Sequence, residues 1–192
     1  MDKIITIEVS ARHIHLSQKD LEALFGKDYE LGKLRDLTQS GDFAAEEILT
    51  IKNKEKEIKN VRIVGPKRDK TQVELSLTDF YSLSLEPIFK VSGDLNETSG
   101  IMLINEKNKK QIKITSGVII PLRHIHCNSS QAEELGIKDK DVVSVKTQGQ
   151  RAITFHNVIV RIKNDYKLCA HLDTDEGNAA GIEKTGIGEI IL

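Results

Sequence analysis

Arg12-His13-Ile14-His15-Leu16-Ser17 recurs almost letter for letter as Arg123-His124-Ile125-His126-Cys127-Asn128-Ser129. Four of the six histidines lie in these two units, and their offset, 124 − 13 = 111 residues, exceeds half of the 192-residue chain. The pattern reads as a duplicated site. In extended backbone, side chains i and i+2 share a face, so His13 with His15, and His124 with His126, can each present two imidazoles to one metal ion. Ile14 and Ile125 then point the other way, into a core. Each pair has an arginine in front and a helix start behind, a shared context that a chance His-x-His lacks.

Outward from these units, Ile4 to Val9 is a β-rich lead-in to the first pair, and Ser17-Gln18-Lys19-Asp20 offers an N-cap for a helix over Gln18–Phe25 that stops at Gly26. After a turn-rich stretch to Asp42, strands are expected at 43–51 and 58–64, joined by the turn Asn53-Lys54-Glu55-Lys56. Gly65 to Thr71 is a basic loop able to hold an anion, followed by the strand Gln72–Ser76 and a short helix from Thr78. Strands are also expected at 101–104, 111–115 and 117–122. Beyond the second pair, Ser130-Gln131-Ala132-Glu133 repeats the capping pattern and Gly136 the stop. Further strands are read at 141–146, 152–155, 158–162, 167–173 and 187–192, with His156-Asn157 as a turn. So many short strands and so few helices predict barrels or sandwiches, with a division near 1–90 and 91–192 whose strands can interleave.

Composition narrows the function classes. Lys+Arg 28 against Asp+Glu 29 gives a net charge of −1 without a basic stripe, which argues against nucleic acid as partner. No apolar run reaches membrane-span or signal-peptide length, and Met1-Asp2-Lys3 leads straight into Ile4, so a cytoplasmic protein is expected. The two cysteines, Cys127 and Cys169, are too few for a disulfide framework and read as buried thiols.

A catalytic zinc usually takes three protein donors and keeps one position open, so each histidine pair needs one more. In the second half His171 is the candidate. In the first half a carboxylate must serve: Glu74 follows the basic loop, and Glu46 and Glu47 compete. His156 is set aside as a turn residue.

The chain resembles the PduL-type phosphate acyltransferases (phosphate propanoyltransferase, phosphotransacylase), which move an acyl group between coenzyme A and inorganic phosphate. The resemblance rests on Val9 to Ser17, on Gly65-Pro66-Lys67-Arg68 with Thr71 to Ser76, and on Ser92-Gly93-Asp94-Leu95 with Ser99-Gly100-Ile101. Arg123 to His126 and His171 to Ala180 complete it. It implies two small β-barrel domains capped by short helices, with two zinc ions in the cleft between them. Carried over position by position, the resemblance implies one zinc on His13, His15 and Glu74, the other on His124, His126 and His171, and an essential arginine at Arg68. Cys127-Asn128 and Leu122 depart from the family pattern, and the N-terminal extension that sends some members to bacterial microcompartments is not seen. The oligomeric state is not fixed by the sequence, a homodimer being one option.

The expected reaction is direct attack of phosphate on a thioester, one zinc holding phosphate, the other accepting the coenzyme A sulfur, and Arg68 stabilising the oxyanion or the phosphate. Two rivals use the same residues: a two-zinc thioester or phosphoester hydrolase with a metal-bound hydroxide, and a non-catalytic barrel with structural zinc.

Overall fold

Period-two apolar alternation closes two six-stranded rings in the computed structural model, which describes residues 3–192; Met1 and Asp2, read as leading straight into the first strand, lie outside the described residues. The elements from the N-terminus are β1 (Ile4–Ser10), β2 (His13–His15), α1 (Gln18–Phe25), β3 (Lys33–Asp36), β4 (Phe43–Asn53), β5 (Lys56–Gly65), β6 (Gln72–Glu74), α2 (Leu77–Ser82), β7 (Phe89–Lys90), β8 (Ser99–Ile104) and β9 (Gln111–Pro121). The second half continues with β10 (His124–Cys127), α3 (Ser129–Leu135), β11 (Val142–Thr147), β12 (Thr154–Ile162), β13 (Cys169–Asp173), α4 (Thr174–Ala180) and β14 (Thr185–Ile191). The protein is mostly β with short capping helices, as expected, and among the described residues no helix is long and apolar enough to cross a membrane.

One compact unit is Arg12–Pro121, whose ring runs β4-β5-β2-β6-β9-β8 and closes because β8 pairs with both β9 and β4. The other joins the chain up to Ala11 with Leu122–Leu192, and its ring runs β1-β13-β10-β12-β11-β14. The two rings share one plan. The histidine strand lies between a parallel neighbour, β5 or β12, and an antiparallel one, β6 or β13. Beyond the antiparallel neighbour comes a parallel strand, β9 or β1.

The chain does not divide into 1–90 and 91–192. It passes between units at Ala11–Arg12 and again at Pro121–Leu122, so the strand before each histidine pair belongs to the ring that the pair does not join. A duplication reveals how long a repeat is but not which ring its first strand enters, because that strand has the same alternation either way.

The cores are the inward faces of these rings. Ile14, Leu16, Leu49, Ile63, Val73, Val118 and Phe80 are buried in one. Ile125, Ala170, Leu172, Ile5, Ile7, Val158 and Val160 are buried in the other. Ser17 caps α1 by accepting the Asp20 N–H at 3.2 Å, and Gly26 ends it. In the second half the cap is Asn128, two residues past His126 as Ser17 is past His15, with Gln131 completing the capping box, rather than Ser130. Gly136 ends α3 in the left-handed region, at φ 65°. His156-Asn157 is not a turn: it lies inside β12, where Asn157 has φ 58° and the ladder with β11 shifts register. The segments expected at 111–115 and 117–122 likewise form the single strand β9, which ends at Pro121.

Because the ring of residues 12–121 uses no strand from outside that segment, this fragment should unfold cooperatively by itself in urea. Residues 122–192 lack β1, the strand between β13 and β14, and should show no cooperative transition until the segment of residues 3–11 is fused to them. Circular dichroism during titration with urea checks both; cooperative unfolding of 122–192 alone would show β1 to be dispensable.

Candidate metal centres

Pleating delivers three donors to one side of each sheet. In unit 12–121 the antiparallel ladder pairs His13 with Glu74 and His15 with Gln72, and since Ile14 and Val73 occupy the core, His13, His15 and Glu74 emerge together on the opposite face. His13 Nε2 lies 3.2 Å from His15 Nε2 and 3.5 Å from Glu74 Oε2. Tetrahedral zinc with bonds of about 2.0–2.1 Å sets its donors about 3.3 Å apart, so the group fits a single ion.

The surroundings fix which atoms face the centre. His15 Nδ1 is 3.0 Å from the Val64 carbonyl, which can only accept, so the proton sits on Nδ1 and Nε2 keeps its lone pair. Glu74 Oε1 accepts from Ser92 Oγ at 2.8 Å and from Gln72 Nε2 at 2.5 Å, and Gln72 is in turn held by the Gly93 N–H at 2.9 Å. Oε2 is the oxygen turned to His13. Burial alone would push the Glu74 carboxyl up, but the facing His13 and His15, the Ser92 hydroxyl and the Arg68 charge outweigh it and hold it at about 2. Burial, then the His13 and Arg68 charges, take His15 well below its ordinary value. Near neutral pH the site offers a carboxylate and a neutral imidazole, the forms that bind a cation.

In the other unit the equivalent ladder pairs His124 with His171 and His126 with Cys169, while Ile125, Ala170 and Leu172 fill the core. The ring centroids of His124 lie 4.5 Å from those of His126 and 5.0 Å from those of His171, and His126 and His171 are 4.9 Å apart. His124 Nδ1 is 2.9 Å from the Leu122 carbonyl, which again leaves Nε2 to the cluster. Both ring nitrogens of His126 are buried without a hydrogen-bond partner, although its ring stacks on Tyr166 at 3.8 Å. An orphaned buried imidazole is costly unless something binds it, which suits a metal donor. Burial, with His124 and His171 adding to it, keeps His126 far below its ordinary value.

The two clusters are thus groups that could hold a metal ion, and they contain the six donors expected from the sequence. Glu46 and Glu47 lie on β4, where Glu47 accepts from the Tyr29 hydroxyl and the Gly32 N–H. His156 meets Ser144 Oγ at 2.8 Å. Cys127 and Cys169 are free, buried thiols pushed up by burial. Arg68 is exposed, its backbone N–H fixed to the Leu16 carbonyl at 2.9 Å just past the first histidine pair, and its charge acts on both His15 and Glu74.

Sequence reasoning left the repeated arginines without a task. Arg12 forks onto Asp79, with Nε to Oδ2 at 2.9 Å and Nη2 to Oδ1 at 2.8 Å. Arg123 Nε meets Glu176 Oε1 at 2.7 Å. Asp79 and Glu176 are each the third residue of a capping box, begun by Ser76 and Asp173, that opens the helix after the third donor. The acid stands five residues past that donor in both halves, 79 − 74 = 5 and 176 − 171 = 5. Each arginine therefore ties the start of the histidine strand to the helix that follows the remaining donor. The signal was present as two capping boxes at equal offsets.

A family model described as Phosphate propanoyltransferase matches residues 6–183. A Phosphate propanoyltransferase of Clostridioides difficile is 40% identical over 190 residues, spanning 99% of this chain and 90% of the relative. One of Thermotoga maritima is 47% identical over 177 residues, 92% of this chain and 83% of the relative, and one of Sebaldella termitidis 40% over 184 residues, 96% and 86%. With two closed rings, a donor cluster on each and a match spanning nearly its whole length, the chain belongs to the phosphate propanoyltransferase family and is an acyltransferase.

Proposed function

We propose that this enzyme transfers a short acyl group between coenzyme A and inorganic phosphate, with zinc bound at His13, His15 and Glu74 and at His124, His126 and His171. The observation that carries this reading is the pair of three-donor clusters, each with at least one imidazole locked by a backbone carbonyl so that Nε2 faces the cluster, in a chain of this family. Three donors leave a zinc coordination position open, which favours catalytic over structural metal. When bound, zinc supplies Lewis acidity toward oxygen and sulfur ligands.

The residues themselves do the rest. Arg68 has a planar fork that matches two phosphate oxygens, and the bond from its backbone N–H to the Leu16 carbonyl, just past the first histidine pair, supports a role at the first cluster. Held there and partly stripped of water, a phosphate oxygen attacks the thioester carbonyl carbon; the carbon–sulfur bond then breaks, giving acyl phosphate and coenzyme A thiolate. Neither cysteine competes as a covalent nucleophile, because burial keeps both as thiols. Coenzyme A thiolate attacking acyl phosphate reverses the same steps.

The enzyme purified without chelator should carry about two zinc ions per chain, and His13→Ala or His124→Ala should each remove about one ion with nearly all activity. Elemental analysis and assay of the same samples check this, and retention of both ions would reassign the donors. Loss of acyl-coenzyme A should require phosphate; turnover in its absence would favour the hydrolase.

Arg68→Ala should lower kcat/KM by about 10²-fold or more with zinc unchanged, the effect of deleting one well-placed electrostatic group. Arg68→Lys should recover little, and Lys67→Ala and Lys70→Ala should change the rate far less. Steady-state kinetics at limiting and saturating phosphate decide it: an Arg68→Ala enzyme near wild-type rate removes the assigned role.

A further inference from the structure

The two clusters differ in charge. The His13, His15, Glu74 cluster contains its own carboxylate, whereas His124, His126 and His171 are all imidazoles. The groups that act on His126 are His124, His171, Arg161 and Lys163, every one positive when charged. A dication bound there would meet no negative donor.

A carboxylate stands directly behind this cluster, contributed by the exchanged strand. β1 lies parallel to β13 with Glu8 opposite His171, on the face away from the core residues Ile5, Ile7, Ala170 and Leu172. Glu8 Oε2 is 3.9 Å from His171 Nδ1, with the side chains only 24% and 12% exposed. The Cys169 thiol, two residues before His171 on the same face, also hydrogen-bonds to Glu8. In the other ring the residue facing the third donor from the equivalent strand is Ile119, opposite Glu74. An apolar residue stands behind the donor that brings its own charge, and an acid behind the donor that brings none.

We propose that Glu8 is a positioning residue for the centre of His124, His126 and His171: its carboxylate, which faces His171 Nδ1, accepts a hydrogen bond from the Nδ1–H once metal is bound, which keeps Nε2 toward the metal and sets a negative charge one imidazole away from it. The inference rests on the zinc reading above. Carboxylates in this relation to a metal-binding histidine fix its tautomer and raise its basicity, and their loss typically weakens metal binding 10- to 100-fold. Cys169 serves only to hold Glu8.

The test is zinc affinity of the full-length chain by competition with a chromophoric chelator. It is run in a His13→Ala/His15→Ala background, so that only this centre is read. Glu8→Leu should weaken binding by about 10-fold or more, Glu8→Gln by an intermediate factor because the amide oxygen still accepts a hydrogen bond but carries no charge, and Cys169→Ala by less than about threefold. Glu8→Gln is nearly isosteric and guards against misfolding. In zinc-loaded protein, imidazole nitrogen–proton correlation spectra should show His171 protonated at Nδ1, and Glu8→Leu should broaden or shift that signal. Equal affinity in the background protein and both Glu8 variants would overturn the role of Glu8 while leaving the zinc reading intact. A Cys169→Ala loss as large as that of Glu8→Leu would overturn it in favour of a separate cation site made by Glu8, Cys169 and His171. Absence of zinc binding at this centre in the background protein would overturn the zinc reading and the role of Glu8 together.

Discussion

The antiparallel pairing of each histidine strand with the strand that carries the third donor sets the whole arrangement. His13 opposite Glu74 and His124 opposite His171 are single register choices, and each also decides that Ile14 with Val73, or Ile125 with Ala170, enters a core. Because the side-chain period of a strand is two, a slip of one residue would bury the donors and expose the isoleucines together. The apolar core therefore stabilises the donor geometry without a metal present, and backbone carbonyls at Val64 and Leu122 then orient the rings. The paired arginines act one level further out. Each reaches from the start of the histidine strand to the helix that follows the third donor, so that one acid serves both in that helix's capping box and as anchor.

Much of this was legible in the residues. The repeated Arg-His-Ile-His units disclosed the duplication, the alternation around them disclosed β-structure, and Ser17 and Gly26 marked a helix correctly. Local rules worked wherever the deciding interaction lies within a few residues. They misplaced the second cap because Ser130 and Asn128 are both good cap residues, and the choice falls to Asn128 through the distance from His126 that β10 dictates. They read His156-Asn157 as a turn because asparagine at positive φ occurs in both turns and strand bulges. The helix α4 passed unread, its small residues and acids resembling a loop.

The third donors show where such reading stops. Residue type and rarity favoured His171, but Glu74 could not be separated from Glu46 and Glu47 by spacing alone, and the family resemblance supplied the choice. What distinguishes it in the fold is pairing between strands: β6 lies beside the histidine strand and sets Glu74 opposite His13, with Ser92 and Gln72 holding its other oxygen, while Glu47 lies on β4 with Oε1 held by Tyr29 and Gly32. The parallel strands β1 and β9 were equally opaque, since their partners lie far away along the chain.

The exchange of first strands also governs the order in which the chain can fold as it is made. β1 leaves the ribosome ahead of the other strands of its ring, yet both of its neighbours, β13 and β14, lie far later, at residues 169–173 and 185–191. The ring of residues 12–121 has every strand in hand once Pro121 has emerged. At synthesis rates of about 5–20 residues per second, the N-terminal strand then waits several seconds longer with its edges open. Its exposed-face residues in that interval are Ile4, Thr6 and Glu8. A charge among them discourages pairing with a stranger's edge, so Glu8 also belongs to the safeguards of a strand that must remain single until its own ring exists.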